Sequence, residues 1–300
     1  MFVSKILYIY KYIYMKFCRI GYTEGSLLFI YWIKYLSNLK LEDDEITFLN
    51  KVHINLLNWL HTTSGFYNKK IKASYFDINI DDYDYEIFNE YLDKLYNSLS
   101  YTDILWVELH NFNKKILSYK QQFIDSFKSK KYNPINQDLM YSLMRDKKVL
   151  IISSFGKLIK IQNDSGNIKK IYVNYPEIKN MIYYTTPYTF FNNGPDNNIL
   201  ETCKKVYEDI EKLKDDFDVA IISFGAYSNL LAHYININLN KDIVTTGGNI
   251  STWFGILNVR TKEFHIKNNV ILDNEEYYIT EIPEEYKPKD YMKIENGCYW

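Results

Sequence analysis

Residues 217–228 read FDVAIISFGAYS. Val219 to Ile222 form an unbroken apolar run with no polar alternation, which suits a strand buried on both faces, the habit of parallel sheets. Gly225 supplies a tight turn. Residues 227–238 then carry Leu230, Leu231, Tyr234 and Ile235 at helical spacing, and strand, small-residue turn and helix in this order make one βα unit.

The same grammar recurs on either side. KKVLIIS (147–153) reads as a second buried strand, and IVTT (243–246) and MIYYTT (181–186) as two more. Residues 200–213 place Leu200, Cys203, Val206, Tyr207, Ile210 and Leu213 on one helical face. Strands alternating with helices predict an α/β fold with a mainly parallel sheet in this half. Upstream, FCRI (17–20) reads as a strand and Gly21 as a turn, with Thr23 as N-cap of a buried helix over 24–39. Further helices are expected at 42–59, 85–99 and 115–128, with a strand at 103–109. The texture changes near residue 148. This divides the chain into a helix-rich region, 1–148, which contributes a strand and a helix to the site, and an α/β lobe, 149–300.

Composition narrows the function. The chain has 300 residues, 47% of them apolar, and a net charge of −1. That excludes intrinsic disorder and, without a basic excess, argues against a nucleic-acid partner. Cys18, Cys203 and Cys298 are odd in number and lack a CxxC pair, so neither a disulfide framework nor a zinc site is expected. The five histidines show no ligand spacing. A reducing, cytoplasmic setting follows. Residues 1–16 are apolar but carry Lys5, Lys11 and Lys16, which fits neither a transmembrane span nor a signal peptide. A surface-seeking amphipathic helix is the other reading of that segment. The 30 tyrosines reflect overall composition. Arginine is the scarce cation: all but Arg19, Arg145 and Arg260 of the 36 basic residues are lysine. A planar fork kept against that bias suggests bidentate work on phosphate or carboxylate.

In an open parallel sheet, ligands bind beyond the carboxyl ends of the strands. Three such ends carry small or polar residues: Ser153-Ser154-Phe155-Gly156-Lys157, Ser223-Phe224-Gly225-Ala226-Tyr227-Ser228 and Thr245-Thr246-Gly247-Gly248-Asn249. Glycine admits a ligand to the backbone, and a following helix offers free N–H groups to an anion. A nicotinamide site is excluded, because GxGxxG needs glycine at 223 and 228, both serine here, and the acid Asp242 stands at the wrong end of its strand. Arg19-Ile20-Gly21-Tyr22-Thr23-Glu24 is a further constellation at a strand-to-helix turn. Arg19 could face phosphate and Glu24 a divalent cation, or Glu24 could serve only the positive end of its helix.

Taken in order, RIGYTE, KKVLIISSFGKLIKIQ (147–162), FDVAIISFGAY…LAHYI…GG…FGILNVR (217–260) and the closing CYW resemble a family of glycosyltransferase-like proteins. Its N-terminal element is similar to the R-x-G-D-x-E signature of GT-D-fold enzymes. The resemblance implies a Rossmann-like fold, a nucleotide-sugar donor, a glycan-type hydroxyl acceptor and a Mg or Mn ion. It assigns the metal to Glu24. It assigns the donor to Arg19, Gly21, Phe155, Lys157, Gly225, Ala226, Tyr227, Gly247, Gly248 and Arg260. Gln162 matches a glutamine of the same stretch as Phe155 and Lys157. Tyr22 stands where the motif has aspartate, Ser153 and Ser154 replace His-Pro, Ser223 and Ser228 replace glycines, and Tyr278 replaces a tryptophan. The alternative is therefore a non-catalytic nucleotide-sugar-binding or protein-interaction member of the same fold. Tyr299 and Trp300 could anchor a partner or pack on the core. No base for the acceptor hydroxyl is evident: Asp218 lies at the wrong end of its strand and His233 sits in an apolar helix. The oligomeric state is open.

Overall fold

Seven strands form one wholly parallel sheet: β1 (Lys16–Ile20), β2 (Ile104–Val107), β3 (Lys131–Tyr132), β4 (Lys148–Ser153), β5 (Asn180–Tyr184), β6 (Val219–Ser223) and β7 (Asp242–Thr245), in spatial order β3-β2-β1-β7-β6-β4-β5. The structure is a computed structural model that describes residues 14–66, 85–190, 193–268, 270 and 272–300. The reading of residues 1–16 falls almost wholly outside them.

Helices cover both faces: α1 (Tyr22–Tyr31), α2 (Asp43–Ser64), α3 (Tyr85–Leu99), α4 (Lys114–Leu117), α5 (Lys120–Ser126), α6 (Gln137–Met144), α7 (Gly156–Asp164), α8 (Asn167–Ile171), α9 (Ile199–Glu211), α10 (Ser228–Asn238), α11 (Asn249–Trp253) and α12 (Val259–Lys267). The two-fold alternation of each strand feeds two cores. Leu150, Ile152, Ala220 and Ile222 pack with apolar residues of α1 to α5, α9 and α10. Val149, Ile151, Val219 and Ile221 pack with those of α6, α7, α8 and α11. Burial on both faces is why β4 and β6 read as continuous apolar runs.

Crossovers toward β3 use one face and crossovers toward β5 use the other, which keeps every connection the same hand. The direction reverses between β4 and β6. The helix after β4 goes to one face and the helix after β6 to the other, opening a crevice at the carboxyl ends of these strands. The arrangement is α/β and Rossmann-like. Strands from both sides of residue 148 share the sheet, with β1 inserted between β2 and β7.

Several local expectations shift. Gly21, extended at φ −74° and ψ 175°, is the N-cap of α1, so Thr23 lies inside the helix. That helix passes into a π-turn over Trp32–Leu36 and stops at Ser37, whose hydroxyl donates to the Ile33 carbonyl at 2.8 Å, well short of residue 39. The helix expected over 115–128 is two, the first capped by the Asn113 side chain. β2 ends at Val107, two residues early, because the chain is drawn toward α1.

Among the described residues no helix is long and apolar enough to cross a membrane. The three cysteines are buried, and none forms a disulfide. Burial pushes the thiols of Cys18 and Cys203 up to about 11 and about 12, so neither is a nucleophile at neutral pH.

Candidate functional site

Residues that follow six of the seven strand ends, all but β3, line one cleft of about 780 Å³. Asn258, Arg260 and Thr261, with Ile294, Tyr299 and Trp300, also line it. Ten of the eleven positions expected from sequence line it: Arg19, Gly21, Glu24, Phe155, Gly225, Ala226, Tyr227, Gly247, Gly248 and Arg260. Lys157 does not. It is exposed on the first turn of α7 and stands outside the lining, because the loop turns into the helix at Gly156 and only Ser154 and Phe155 face the cleft.

Arg19 is held from several sides. Its guanidinium donates to Glu108 at 2.7 Å, lies 4.9 Å over the Trp106 ring, and passes so close to Gly247 that a Cβ there would stand 1.8 Å from Nη1. Gly247 also has φ +58°, so this turn needs glycine on two counts. Arg19 Nε is buried with no hydrogen-bond partner among the described residues. The backbone beneath is fixed as well. The Arg19 N–H donates to Thr245 Oγ1 at 2.7 Å, and its carbonyl accepts from Asn229 Nδ2 at 3.0 Å. Residues of β1, β7 and α10 thus lock one strand end.

The serines that stand in place of glycines have structural partners. Ser223 Oγ donates to the Gly247 carbonyl at 2.9 Å, and Ser228 Oγ accepts the Phe224 N–H at 2.8 Å. Gly225 takes φ +49°. Phe224 and Tyr227 stack at 4.3 Å, and the Tyr227 hydroxyl donates to the Gly65 carbonyl. Tyr227 therefore borders the cleft with its hydroxyl already used. Gln162 is also structural, its buried amide donating to the carbonyls of Gly255 at 2.8 Å and Tyr277 at 2.9 Å.

The half-buried Glu24 sits in the first turn of α1. Desolvation raises its carboxyl above the ordinary range; its own backbone amide and Arg19 pull it down, and Glu108 adds to the rise. Burial likewise raises Glu108 against the pull of Arg19. Among the described residues no group of three or more His, Cys, Asp or Glu side chains is placed to hold a metal ion. The described residues do not build a cation cage by themselves. Glu24 could give one ligand, and the oxygens of a bound diphosphate would have to give the others.

Arg260 is exposed, its guanidinium 4.6 Å over the Tyr299 ring, and that ring borders Gly248, where a Cβ would stand 3.7 Å from it. Trp300 packs against Phe190 and Tyr291, with centroids at 5.6 and 6.0 Å. His233 stands 3.4 Å from Lys16 Nζ on α10 and does not line the cleft. Sequence reasoning missed Glu108 and His110, which follow β2 directly. Applying the strand-end rule to β2 as well as to the glycine-bearing ends would have found them. No protein-family model matches the chain, and comparison with curated proteins and with solved structures returns no match.

Proposed function

We propose that the chain is a nucleotide-sugar-dependent glycosyltransferase acting on a hydroxyl acceptor. One observation carries the reading. Arg19, Arg260 and the glycine turns at 225 and 247 meet in a single cleft at the carboxyl edge of a parallel sheet. Its 780 Å³ falls within the usual range for small-molecule sites.

In sugar transfer, negative charge develops on the departing diphosphate. Arg19 and Arg260 would face that charge with backbone N–H groups near Gly225 and Gly247, and fixed donors of this kind stabilise it without reorganising. Arg19 comes already oriented by Glu108 and Trp106. A Mg or Mn ion, where used, would take Glu24 as its protein ligand.

The test is a thermal-shift screen of UDP, GDP, CMP, TDP and their sugars, with and without manganese. A ligand at a hundred times its dissociation constant adds about 2.7 kcal/mol, a shift of several degrees for a chain of this size. Arg19→Ala should lose most of it. No shift with any nucleotide would overturn the proposal. A second reading, a non-catalytic nucleotide-sugar-binding member, draws on Tyr22, which is 59% exposed where the motif has aspartate. It requires binding without release of nucleoside diphosphate, which the same samples reveal.

A further inference from the structure

The two ends of the cleft differ in chemistry. The β4–β6–β7 end carries the glycine turns and, through the Tyr299 ring beside Gly248, Arg260. The β1–β2 end carries the exposed ring of Tyr22, at 59%, together with Glu24, Glu108 and His110. A second exposed ring, Trp59 of α2 at 47%, lines the same cleft. These three titratable groups are not equivalent. Glu108 is committed to Arg19 at 2.7 Å, and Glu24 is bonded to its own backbone amide. The exposed imidazole of His110 has no hydrogen-bond or ion-pair partner among the described residues.

The backbone beneath that imidazole is nevertheless fixed. The His110 N–H donates to Ser26 Oγ at 2.7 Å. Gly25 lets the Glu108 carbonyl approach α1 so closely that a Cβ on Gly25 would stand 2.4 Å from its oxygen. An imidazole with no side-chain partner among the described residues, on a loop held in place and lining the cleft, fits a general base. Exposed indole and phenol rings offer an apolar face with a polar edge, which matches the apolar face and equatorial hydroxyls of a pyranose.

We propose that the β1–β2 end is the acceptor subsite. A saccharide ring rests on Trp59 and Tyr22, and one of its hydroxyls gives its proton to His110. This deepens the transferase reading and rests on it. In the step, the acceptor oxygen forms the new bond to C1 of the donor sugar while the bond from C1 to the diphosphate oxygen breaks. The electron pair of the broken bond leaves with the diphosphate. The hydroxyl proton passes to a ring nitrogen of His110 and then to water.

The experiment uses the full chain with UDP-glucose, UDP-galactose, UDP-N-acetylglucosamine and GDP-mannose as donors and methyl glycosides as acceptors, and follows release of nucleoside diphosphate. His110→Ala should lower saccharide-dependent kcat by about 10²–10⁴-fold and remove the acid limb of its pH profile. It should leave the nucleotide thermal shift intact. Trp59→Ala should raise the KM for the glycoside by up to roughly tenfold with kcat kept. Both side chains are exposed, and a retained nucleotide thermal shift in each variant confirms that it is folded. A His110→Ala variant with the wild-type kcat and pH profile overturns the base. Nucleotide binding with no acceleration by any methyl glycoside overturns the saccharide subsite while sparing the donor site. A wild-type chain that shifts with no nucleotide overturns the transferase reading and this proposal with it.

Discussion

Gly25→Ala pits helix propensity against tertiary contact. Gly25 is inside α1, where alanine alone would stabilise by about 1 kcal/mol. Its added Cβ, however, would lie 2.4 Å from the Glu108 carbonyl oxygen, and ordinary contact begins near 3.4 Å. Helix and loop must separate by about 1 Å, a displacement of the size that overpacking imposes at a cost of roughly 1–3 kcal/mol. Neither side yields freely. The Glu108 N–H donates to the Ile20 carbonyl at 3.1 Å, and the His110 N–H to Ser26 Oγ at 2.7 Å. Losing the second bond adds about 1 kcal/mol. The net expectation is a destabilisation of about 1–3 kcal/mol, read as a lower urea midpoint at unchanged slope. Gly166→Ala is the control. Gly166 has φ +71° and open space around its Cβ position, so the change costs about 1 kcal/mol of backbone strain and leaves the cleft alone. A Gly25→Ala protein more stable than wild type by the helix increment would refute the close packing of α1 on the β2 loop.

Gly247→Ala forces both a left-handed alanine and a clash with Arg19 Nη1; it should cost about 1–2 kcal/mol in backbone strain and weaken nucleotide-induced thermal shifts, and wild-type shifts would refute the contact. Burial, with Lys34 second, holds the imidazole of His53 down to about 4, from an ordinary value of 6.5. A depressed folded value means stability present above pH 6.5 and lost as pH falls toward about 4, by at most about 3 kcal/mol. His53→Gln should flatten that acid slope in urea midpoints taken from pH 7 to 4.5, and an unchanged slope would assign it elsewhere. Glu24→Gln should erase any increment that manganese adds to a nucleotide's thermal shift while keeping the shift itself; a retained increment would remove Glu24 as a ligand.

What the sequence revealed, and what it hid, follows from the range of the interactions. β4, β6 and β7 were legible because burial on both faces leaves a local apolar signature. α3 was legible over all of 85–99 because one of its faces is consistently apolar. β3 was not, since it is two exposed residues paired only with β2. The junction of β1 with β7 was invisible, as no local pattern encodes a pairing between residues 17 and 244. The site divides the same way. Glycine-rich strand ends announce themselves. The pairing of Arg19 with Glu108 exists only once β1 and β2 lie side by side.

That central place of β1 bears on how the chain is made. β1 ends at residue 20 and β7 begins at residue 242. At about 5–20 residues per second, ribosomal synthesis separates the two by roughly 10–45 s. β2 closes one edge of β1 earlier, but the other edge has no partner until more than two thirds of the chain has been translated. Lys16 and Arg19, flanking Phe17 and Cys18, put charge on that waiting strand, a placement that discourages pairing with neighbouring chains. Slower translation lengthens the wait, and a holding chaperone shortens the exposure. Yield in a foreign host should therefore depend more on those two factors than on the stability of the finished fold.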